Sequence, residues 1–437
     1  MMDSLFSADW RDRDDLREYE GETHAATMAE LGIRYHGISL STNEQVLDQT
    51  PSVRDRAFLS VYPLAVWLSW NFYRLAYEPL PQGNIPHLSW ACAHDMSNAG
   101  DGYVWPPIQI YSDGIRTVLR PRVLEIPSHD PIRYTSSIPV VMPLDEFKMN
   151  VLQFLHLCAD RLSWKGMEST EFQQIYHDLQ DDLHDQEFST WRKVEAMMGY
   201  DPDEAPDRLR KSFPSLFSFL GNDGIEELAA NGPNSLVDSR QIQDWMLTEG
   251  VDRVVGDAAS APPVDPDPGK PAWVLAINAA THARHAWGLG SDMVENRKLA
   301  EIYGISPGAL KGRTGTSPIP VSIYSRQDRR VVLNKNPESS RRFAIARLIG
   351  DDSLRHADNR FAVVSNSRTY RQKFQRAFAA ELLCPREEVL GYFDNHPEDE
   401  ESIQELAVRF GVSEMVIRHT LENSRGLECQ EPLDRAM

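Results

Sequence analysis

The chain has 437 residues, of which 41% are hydrophobic and 25% charged, and its formal net charge is −20. This length predicts two or three domains, and the composition is typical of a soluble globular protein. No apolar run approaches the roughly 20 residues that span a bilayer. The N-terminus is acidic where a signal peptide would be basic, and the four cysteines form no CxxC pair. We expect a cytoplasmic protein without membrane contact or a cysteine-rich zinc site.

The N-terminal half combines helices with a hairpin. Residues 54–78 are aromatic-rich and apolar nearly all round, which predicts one long buried helix. Asp113-Gly114 stands between two β-branched and aromatic runs and predicts a hairpin turn. From residue 144 the apolar spacing becomes helical. Further helices are predicted at 168–184, 187–198 and 237–248.

A stretch rich in Pro, Ala, Gly and Asp, residues 251–271, is typical of a stiff, extended linker. With this boundary the sequence predicts an α+β protein that is mainly helical. The expected parts are a mixed α+β domain at 1–143, a helical domain at 144–250, the linker at 251–271 and a C-terminal domain at 272–437. The oligomeric state cannot be predicted from these patterns.

The C-terminal domain shows a helix–helix–hairpin–helix–helix order. The hairpin is predicted around Gln327-Asp328, and the next helix has Pro337 at its start with Ser339 or Ser340 as N-cap. A second helix breaks at Pro385. The last segment, residues 402–424, has helix-turn-helix spacing around a glycine.

Charge is distributed unevenly in this domain. Residues 313–376 carry 14 Lys and Arg against 5 Asp and Glu. Such a segment could bind DNA, an acidic protein or the acidic N-terminal half, or it could simply be a solvated helix face. Arg341, Arg342, Arg418 and His419 are the candidate contacts to a protein partner or to DNA, although residues 402–424 fit a packing role better.

Three phrases resemble the ImmA/IrrE family of bacterial zinc peptidases: "RRF" at 341–343, "FAAELLCP" at 378–385 and "LAVRFGVSEMVIRHTL" at 406–421. The resemblance covers about residues 273–424. It implies a zincin-like fold ending in a helix-turn-helix-like segment. In this family two histidines at i and i+4 and a later glutamate bind zinc, and a glutamate beside the first histidine activates a zinc-bound water.

Transferred residue by residue, the resemblance implies a degenerate zinc site. The two histidine positions fall at Arg347 and Asp351, the general-base position at Leu348 and the third-ligand position at Phe374. None of these side chains matches the family's ligand or base. The expectation is therefore no catalytic residue, no bound metal and no other cofactor, with Arg347 and Asp351 pairing in the former metal pocket.

Three functions remain open at this point. The first is a non-catalytic ImmA/IrrE-like protein that binds a protein partner, such as a regulator or complex subunit, in bacterial regulation or anti-phage and mobile-element responses. The second is a zinc endopeptidase that cleaves a regulator through non-standard ligands such as His282 and His285. The third is a helix-turn-helix regulator that binds DNA through 402–424 or 313–376.

One further pair lies in the N-terminal half. His94 and Asp95 precede the predicted hairpin in a segment rich in Gly and Asn. His–Asp neighbours occur in catalytic sites, but no nucleophile is recognisable beside them. A structured loop is the better interpretation.

Overall fold

The structure is a computed structural model, and it describes residues 4–47, 50–83, 86–124, 132–254, 262–313, 315–355 and 360–428. The fold is α+β and mainly helical, as the sequence predicted. The chain forms two compact units, Met1–Ala205 and Pro206–Met437. In the described part of the chain, no helix combines the length and the apolar character that crossing a bilayer requires.

Three small antiparallel sheets support the first unit. Its strands are β1 (Phe6–Trp10), β2 (Met28–Tyr35), β3 (Ile38–Ser39), β4 (Asn43–Leu47), β5 (Thr50–Arg54), β6 (Arg56–Ser60), β7 (Ile108–Ser112), β8 (Arg116–Pro121), β9 (Ile132–Tyr134) and β10 (Val140–Pro143). The sheets have the orders β1-β2-β3, with β6 also on β2, then β10-β8-β7 and β5-β4-β9. Strands β7 and β8 form the hairpin predicted at Asp113-Gly114, with Ser112 opposite Thr117.

The helices of the first unit pack an aromatic core against these sheets. They are α1 (Arg17–Glu20), α2 (Glu22–Ala26), α3 (Tyr62–Trp70), α4 (Phe72–Tyr77), α5 (Leu88–His94), α6 (Leu144–Trp164), α7 (Glu171–His184) and α8 (Gln186–Met197). The prediction of one helix over 54–78 was wrong in extent. Residues 56–60 pair with β2 as strand β6, and the remainder breaks at Asn71 into two buried helices.

The second unit surrounds a four-stranded antiparallel sheet of order β11-β13-β12-β14. Its strands are β11 (Val251–Asp252), β12 (Ser322–Ser325), β13 (Arg330–Val332) and β14 (Phe361–Val364). Its helices are α9 (Asp207–Ala229), α10 (Ser239–Glu249), α11 (Ala272–Ala286), α12 (Asn296–Tyr303), α13 (Gly308–Lys311), α14 (Glu338–Ser353), α15 (Tyr370–Leu383), α16 (Arg386–Phe393), α17 (Glu400–Phe410) and α18 (Glu414–Glu428).

The division between the units differs from the segments expected at 1–143, 144–250, 251–271 and 272–437. Helices α9 and α10 lie in the second unit because α9 packs on strand β14, with the Phe219 and Phe361 ring centroids 4.9 Å apart. Helix α9 was not predicted; it bends at Gly221, whose φ is +73°, and this bend interrupts the helical apolar period.

The expected linker is partly built into the second unit. Val251 and Asp252 pair with β13, and the backbone of Val264 bonds to Ser353 and Arg355. Residues 255–261 lie outside the described part. The proline-rich part is therefore held against the C-terminal end of α14 through Val264, and sequence alone does not distinguish this arrangement from a free spacer.

Around α14 the predicted hairpin and the two predicted helices are present, but strand β14 between α14 and α15 was not predicted, and one cap prediction fails. Strands β12 and β13 flank Gln327-Asp328, and α15 ends just before Pro385. The N-cap of α14 is Pro337, without a side-chain cap, so the predicted serine cap is wrong. Both serines lie inside the first turn of the helix.

Helices α14 and α15 approach closely at a glycine. A methyl group on Gly350 would lie 2.8–2.9 Å from three carbons of Phe378, which is fully buried. Contact at that distance is repulsive, and the surrounding core leaves the ring no space to move. This close approach brings the polar side chains of the two helices within hydrogen-bonding distance.

We predict that Gly350→Ala lowers the free energy of unfolding by about 1–3 kcal/mol through overpacking against Phe378. Gly391→Ala is the matched control, since a methyl group there meets no atom within 4 Å on an exposed helix. The control should be neutral or stabilising by up to about 1 kcal/mol. Urea denaturation followed by circular dichroism measures both, and equal stability of the two variants would contradict the close approach.

Candidate functional site

Helices α14 and α15 enclose a cluster of polar side chains in the middle of the second unit. Arg347 and Asp351 lie one turn apart on α14, so they share a face. Arg371, Gln372 and Gln375 face them from the first two turns of α15. All five side chains are buried.

Asp351 is the anionic centre of this cluster. It is completely buried, and Arg371 donates to both of its oxygens, from Nε at 2.6 Å and from Nη2 at 2.8 Å. Arg326 adds a hydrogen bond of 3.1 Å and Gln375 one of 2.7 Å. Burial lowers the pKa of Arg371, but the charge and hydrogen bonds of Asp351 more than offset this effect and raise it. Arg371 is therefore positively charged in the folded protein.

Arg347 is held mainly by neutral acceptors. Its Nη2 donates to the Ser365 carbonyl at 2.7 Å, to Gln375 at 3.3 Å and to the side-chain oxygen of Gln372. Gln375 thus links Arg347 to Asp351, because its amide nitrogen donates to that carboxylate. Burial, and then the charge of Arg376, lower the pKa of Arg347 well below its usual value.

Glu227 of α9 closes the cluster. Thr369 Oγ1 donates to it at 2.9 Å and Gln372 Nε2 at 2.7 Å. Burial raises the pKa of Glu227, against the lowering effect of the Arg371 charge and these hydrogen bonds. Its carboxylate oxygens are thus engaged by side chains from α15 and its N-cap.

Leu348 and Phe374, the other two degenerate-site positions, belong to the apolar core. Both are fully buried, and the Phe374 ring stacks on Phe378 with centroids 6.2 Å apart. Beside Phe374 on α15, Gln375 contacts Asp351, as Arg371 does one turn earlier. The sequence reasoning missed Gln375, Gln372 and Arg371, although their polar positions in an otherwise buried helix carried a signal. It had no signal for Glu227, which precedes Thr369 by 142 residues.

Arg341 and Arg342 are buried, which corrects their assignment as candidate contacts to a partner or DNA. Arg341 donates to the carbonyls of Ala309, Leu333 and Lys335. Arg342, 1% exposed, donates to the Val294 carbonyl at 2.6 Å and to the Gly411 carbonyl at 3.1 Å, where α17 ends. A guanidinium there satisfies carbonyls that the helix leaves without partners.

Arg418 and His419 lie on α18 and are partly exposed. Arg418 pairs with Glu400 and approaches Glu414 at 3.8 Å, and His419 lies 3.3 Å from Glu422. These carboxylates offset the positive charge that DNA binding needs. The geometry favours the packing role already preferred for residues 402–424.

The basic segment 313–376 directs part of its positive charge inward. Arg341, Arg342, Arg347, Arg371 and Arg376 are buried, and Arg330 pairs with Asp252. The excess of positive charge in the sequence therefore does not translate into an equally basic surface. This arrangement weakens the expectation that the segment binds nucleic acid.

His94 and Asp95 lie in the first unit, and their side chains bond to different residues. His94 is completely buried, stacks on Trp90, and bonds through Nε2 to Glu78 at 2.9 Å. Arg74 donates to the same oxygen of Glu78 at 2.7 Å. Asp95 instead caps a turn by accepting from Ser97. The group is a buried ion network that holds α4 and α5 together, and not a catalytic pair.

Residues 313–422 match the family model described as IrrE N-terminal-like domain. No curated protein and no solved structure matches the chain. The C-terminal region thus carries an ImmA/IrrE-like domain, as the resemblance implied. Within it fall β12 to α17 and most of α18, including the α14–α15 cluster.

The residues in this cluster do not fit a zinc ion. Zinc in proteins takes imidazole, thiolate or carboxylate ligands. Arg347 presents a guanidinium, Leu348 and Phe374 are apolar, and the Asp351 carboxylate is occupied by arginine and glutamine donors. Among the described residues, no group of three or more His, Cys, Asp or Glu side chains is placed to hold a metal ion.

We predict that Asp351→Asn lowers the free energy of unfolding by about 3–5 kcal/mol, because it leaves the buried Arg371 without its counter-charge, while Arg326 keeps Asp352 as a partner. Asp265→Asn is the control, since Asp265 forms an exposed pair with Arg355 at 3.4 Å. That change should cost no more than about 1 kcal/mol. Urea denaturation measures the free energy of unfolding of both variants. If Asp351→Asn lowers it no more than Asp265→Asn does, the ion cluster does not stabilise the fold.

A pH dependence follows from Glu78. Burial opposes its ionisation, but the hydrogen bonds and charges of His94 and Arg74 more than compensate and lower its pKa below the usual 4.5. Ionised Glu78 therefore stabilises the fold above about pH 4.5, and this contribution is lost as the pH falls through the lowered pKa.

Glu78→Gln should accordingly destabilise the protein at pH 7, and its deficit relative to the parent should shrink on acidification below pH 4.5. Urea denaturation of both proteins across this range measures the difference. Glu44→Gln, on strand β4, is the control for a carboxylate outside the network. A deficit that stays constant with pH would contradict the ion network.

Proposed function

We propose that the protein is a non-catalytic ImmA/IrrE-like protein that acts by binding a protein partner. The family resemblance suggests the biological setting, which is bacterial regulation or a response to phage and mobile elements. In that setting the partner would be a regulator or a subunit of a complex. The proposal concerns the ImmA/IrrE-like domain, residues 313–422.

The observation that carries the proposal is the engagement of Asp351. This carboxylate lies at the second histidine position implied by the resemblance, and it accepts from Arg371, Arg326 and Gln375. Binding a cation there would require the buried guanidinium of Arg371 to lose its counter-charge, which costs about 3–5 kcal/mol. The cluster therefore supports a structural role and opposes a hydrolytic one.

The cluster also replaces the cross-link that a metal would supply between the two helices. A zinc ion would join α14 to α15 through its ligands; here Arg371 of α15 grips Asp351 of α14 with two parallel hydrogen bonds. Gln375 joins both α14 residues to the Val363 carbonyl of edge strand β14. Metal-independent stability is what a binding protein derived from a peptidase needs.

The two alternatives have less support. His282 and His285 are exposed on α11, and neither is part of a metal-binding group in the described structure. DNA binding would depend on Arg418 and His419, whose neighbours are carboxylates. No specific observation in the described part of the chain favours either the zinc endopeptidase or the DNA-binding regulator.

Zinc content tests the proposal directly. We expect full-length protein purified without chelators to hold far less than one zinc ion per chain by plasma mass spectrometry, because no ligand set among the described residues fits the metal. The same measurement on His282→Ala and Asp351→Asn identifies the ligands if zinc is found. One zinc per chain that is lost in either variant, together with chelator-sensitive proteolysis of a helix-turn-helix repressor, would refute a non-catalytic role.

A further inference from the structure

The first unit has a polar pocket on the outer face of the sheet formed by β1, β2 and β6. Its cavity volume is about 270 Å³, and the residues that line it include Ser4, Ser7, Gly32, Arg34, Asp55 and Arg56. Arg34 and Asp55 are exposed, so the pocket opens to solvent. Drug-sized ligands occupy pockets of roughly 300–1,000 Å³, so this cavity matches a smaller molecule, of about the size of an amino acid.

Gly32, on the central strand β2, keeps the middle of the pocket free. It lies opposite Ser7 of β1 on one side and opposite Arg56 of β6 on the other. A Cβ atom on Gly32 would lie 2.8 Å from Ser7 Oγ and 3.3 Å from Arg56 Cγ. A glycine inside a strand weakens the strand and often marks a place where a ligand comes close to the backbone.

Two ion pairs supply the charges of the pocket. Arg34 Nη2 donates to Asp55 at 3.0 Å, and Arg56 pairs with Asp9 of β1. These four side chains are 41–58% exposed. Exposed ion pairs contribute little to stability, so they can rearrange around a ligand at small cost. Each guanidinium also has donors beyond the nitrogen used in its pair, so both arginines can bind a ligand.

Hydrogen-bond acceptors lie beside these donors. Ser4 Oγ and Ser7 Oγ both donate to backbone carbonyls, at 2.8 and 3.2 Å. Their hydrogens are thus engaged, and their oxygen lone pairs remain as acceptors. Asp55 accepts from Arg34 and from Thr42, and a carboxylate has about four acceptor sites, so it can accept further bonds.

A ligand with a single charge does not match this set of groups. An anion would pair with the two arginines but would lie against Asp55, and a cation would pair with Asp55 but lie against the arginines. Arg34 and Asp55 are only 3.0 Å apart, so the two ligand groups that bind them must be close neighbours in the ligand. A carboxylate and an ammonium group on one carbon atom have this arrangement.

We propose that this pocket binds a free α-amino acid. The ligand carboxylate accepts from Arg34 and Arg56, and its ammonium group donates to Asp55 and to the hydroxyl oxygens of Ser4 and Ser7. A peptide fits less well, because its two terminal charges lie at opposite ends of the chain. The pocket lies in the first unit, so this inference does not depend on the function proposed for the C-terminal domain.

Thermal unfolding of the full-length protein tests the inference, with each of the twenty L-amino acids at about 10 mM as probes. We expect at least one of them to raise the melting temperature by about 2–4 °C. Its two analogues that lack either the amino group or the carboxylate should raise it by less than half as much. No response to any of the twenty would overturn the inference, and so would an equal response to the analogue without the amino group.

Variants then locate the response. Arg34→Gln and Arg56→Gln should each abolish it, and both should fold, because they replace half-exposed side chains with polar ones. Arg54→Gln is the matched control, since Arg54 is an exposed arginine of the adjacent strand β5 and does not line the pocket. A response that survives in both pocket variants, or that is lost equally in Arg54→Gln, would overturn the assignment.

Asp55→Asn separates recognition of the ammonium group from a general effect on the fold. Titration calorimetry with the responding amino acid should show affinity weakened by about tenfold, because a charged hydrogen-bond partner is lost. The analogue without the amino group should bind this variant at least as well as it binds the parent, since Asp55 repels it. Equal weakening for both ligands would contradict the proposed orientation and overturn the inference.

Discussion

The carboxylate of Asp351, gripped by Arg371 in the interior of the second unit, is the contact on which the arrangement of α14 and α15 depends. A buried ion pair is stabilising only when its geometry is good and its other donors and acceptors are satisfied. Arg326 and Gln375 meet this condition on the Asp351 side. The contact forms because Gly350 lets the two helices approach, so backbone packing and ion pairing are inseparable here.

Buried arginines hold the rest of the second unit together in a second way, through backbone carbonyls. Arg342 reaches the end of α17, Arg341 the end of α13, and Arg284 the carbonyls of Leu382, Gly290 and Asp292. Each guanidinium has five donors in a rigid plane and can satisfy several carbonyls at once. The basic composition of this region is thus used for internal cross-linking.

Much of the candidate site was predictable, and the limits have physical causes. The positions of Arg347, Leu348, Asp351 and Phe374 followed from a resemblance along one chain segment, and the i, i+4 spacing placed the first and third of them on one helix face. The sequence did not predict the hydrogen-bond partners of Arg347 and Asp351. Gln375 bridges these two residues because α15 is rotated so that Phe374 points into the core. The rotation of a helix is set by its packing and not by its local sequence.

The sequence by itself determined the mainly helical α+β class, the β7–β8 and β12–β13 hairpins, the helices α14 and α15 and the ImmA/IrrE-like domain. Turn residues, apolar periods and family phrases are local signals that survive without tertiary context. Only the tertiary structure decided that 56–60 is a strand, that Val251 and Asp252 of the expected linker join a sheet, and that Arg341 and Arg342 are internal. Strand pairing and the burial of charge depend on neighbours distant in the chain, whose contribution no local pattern contains.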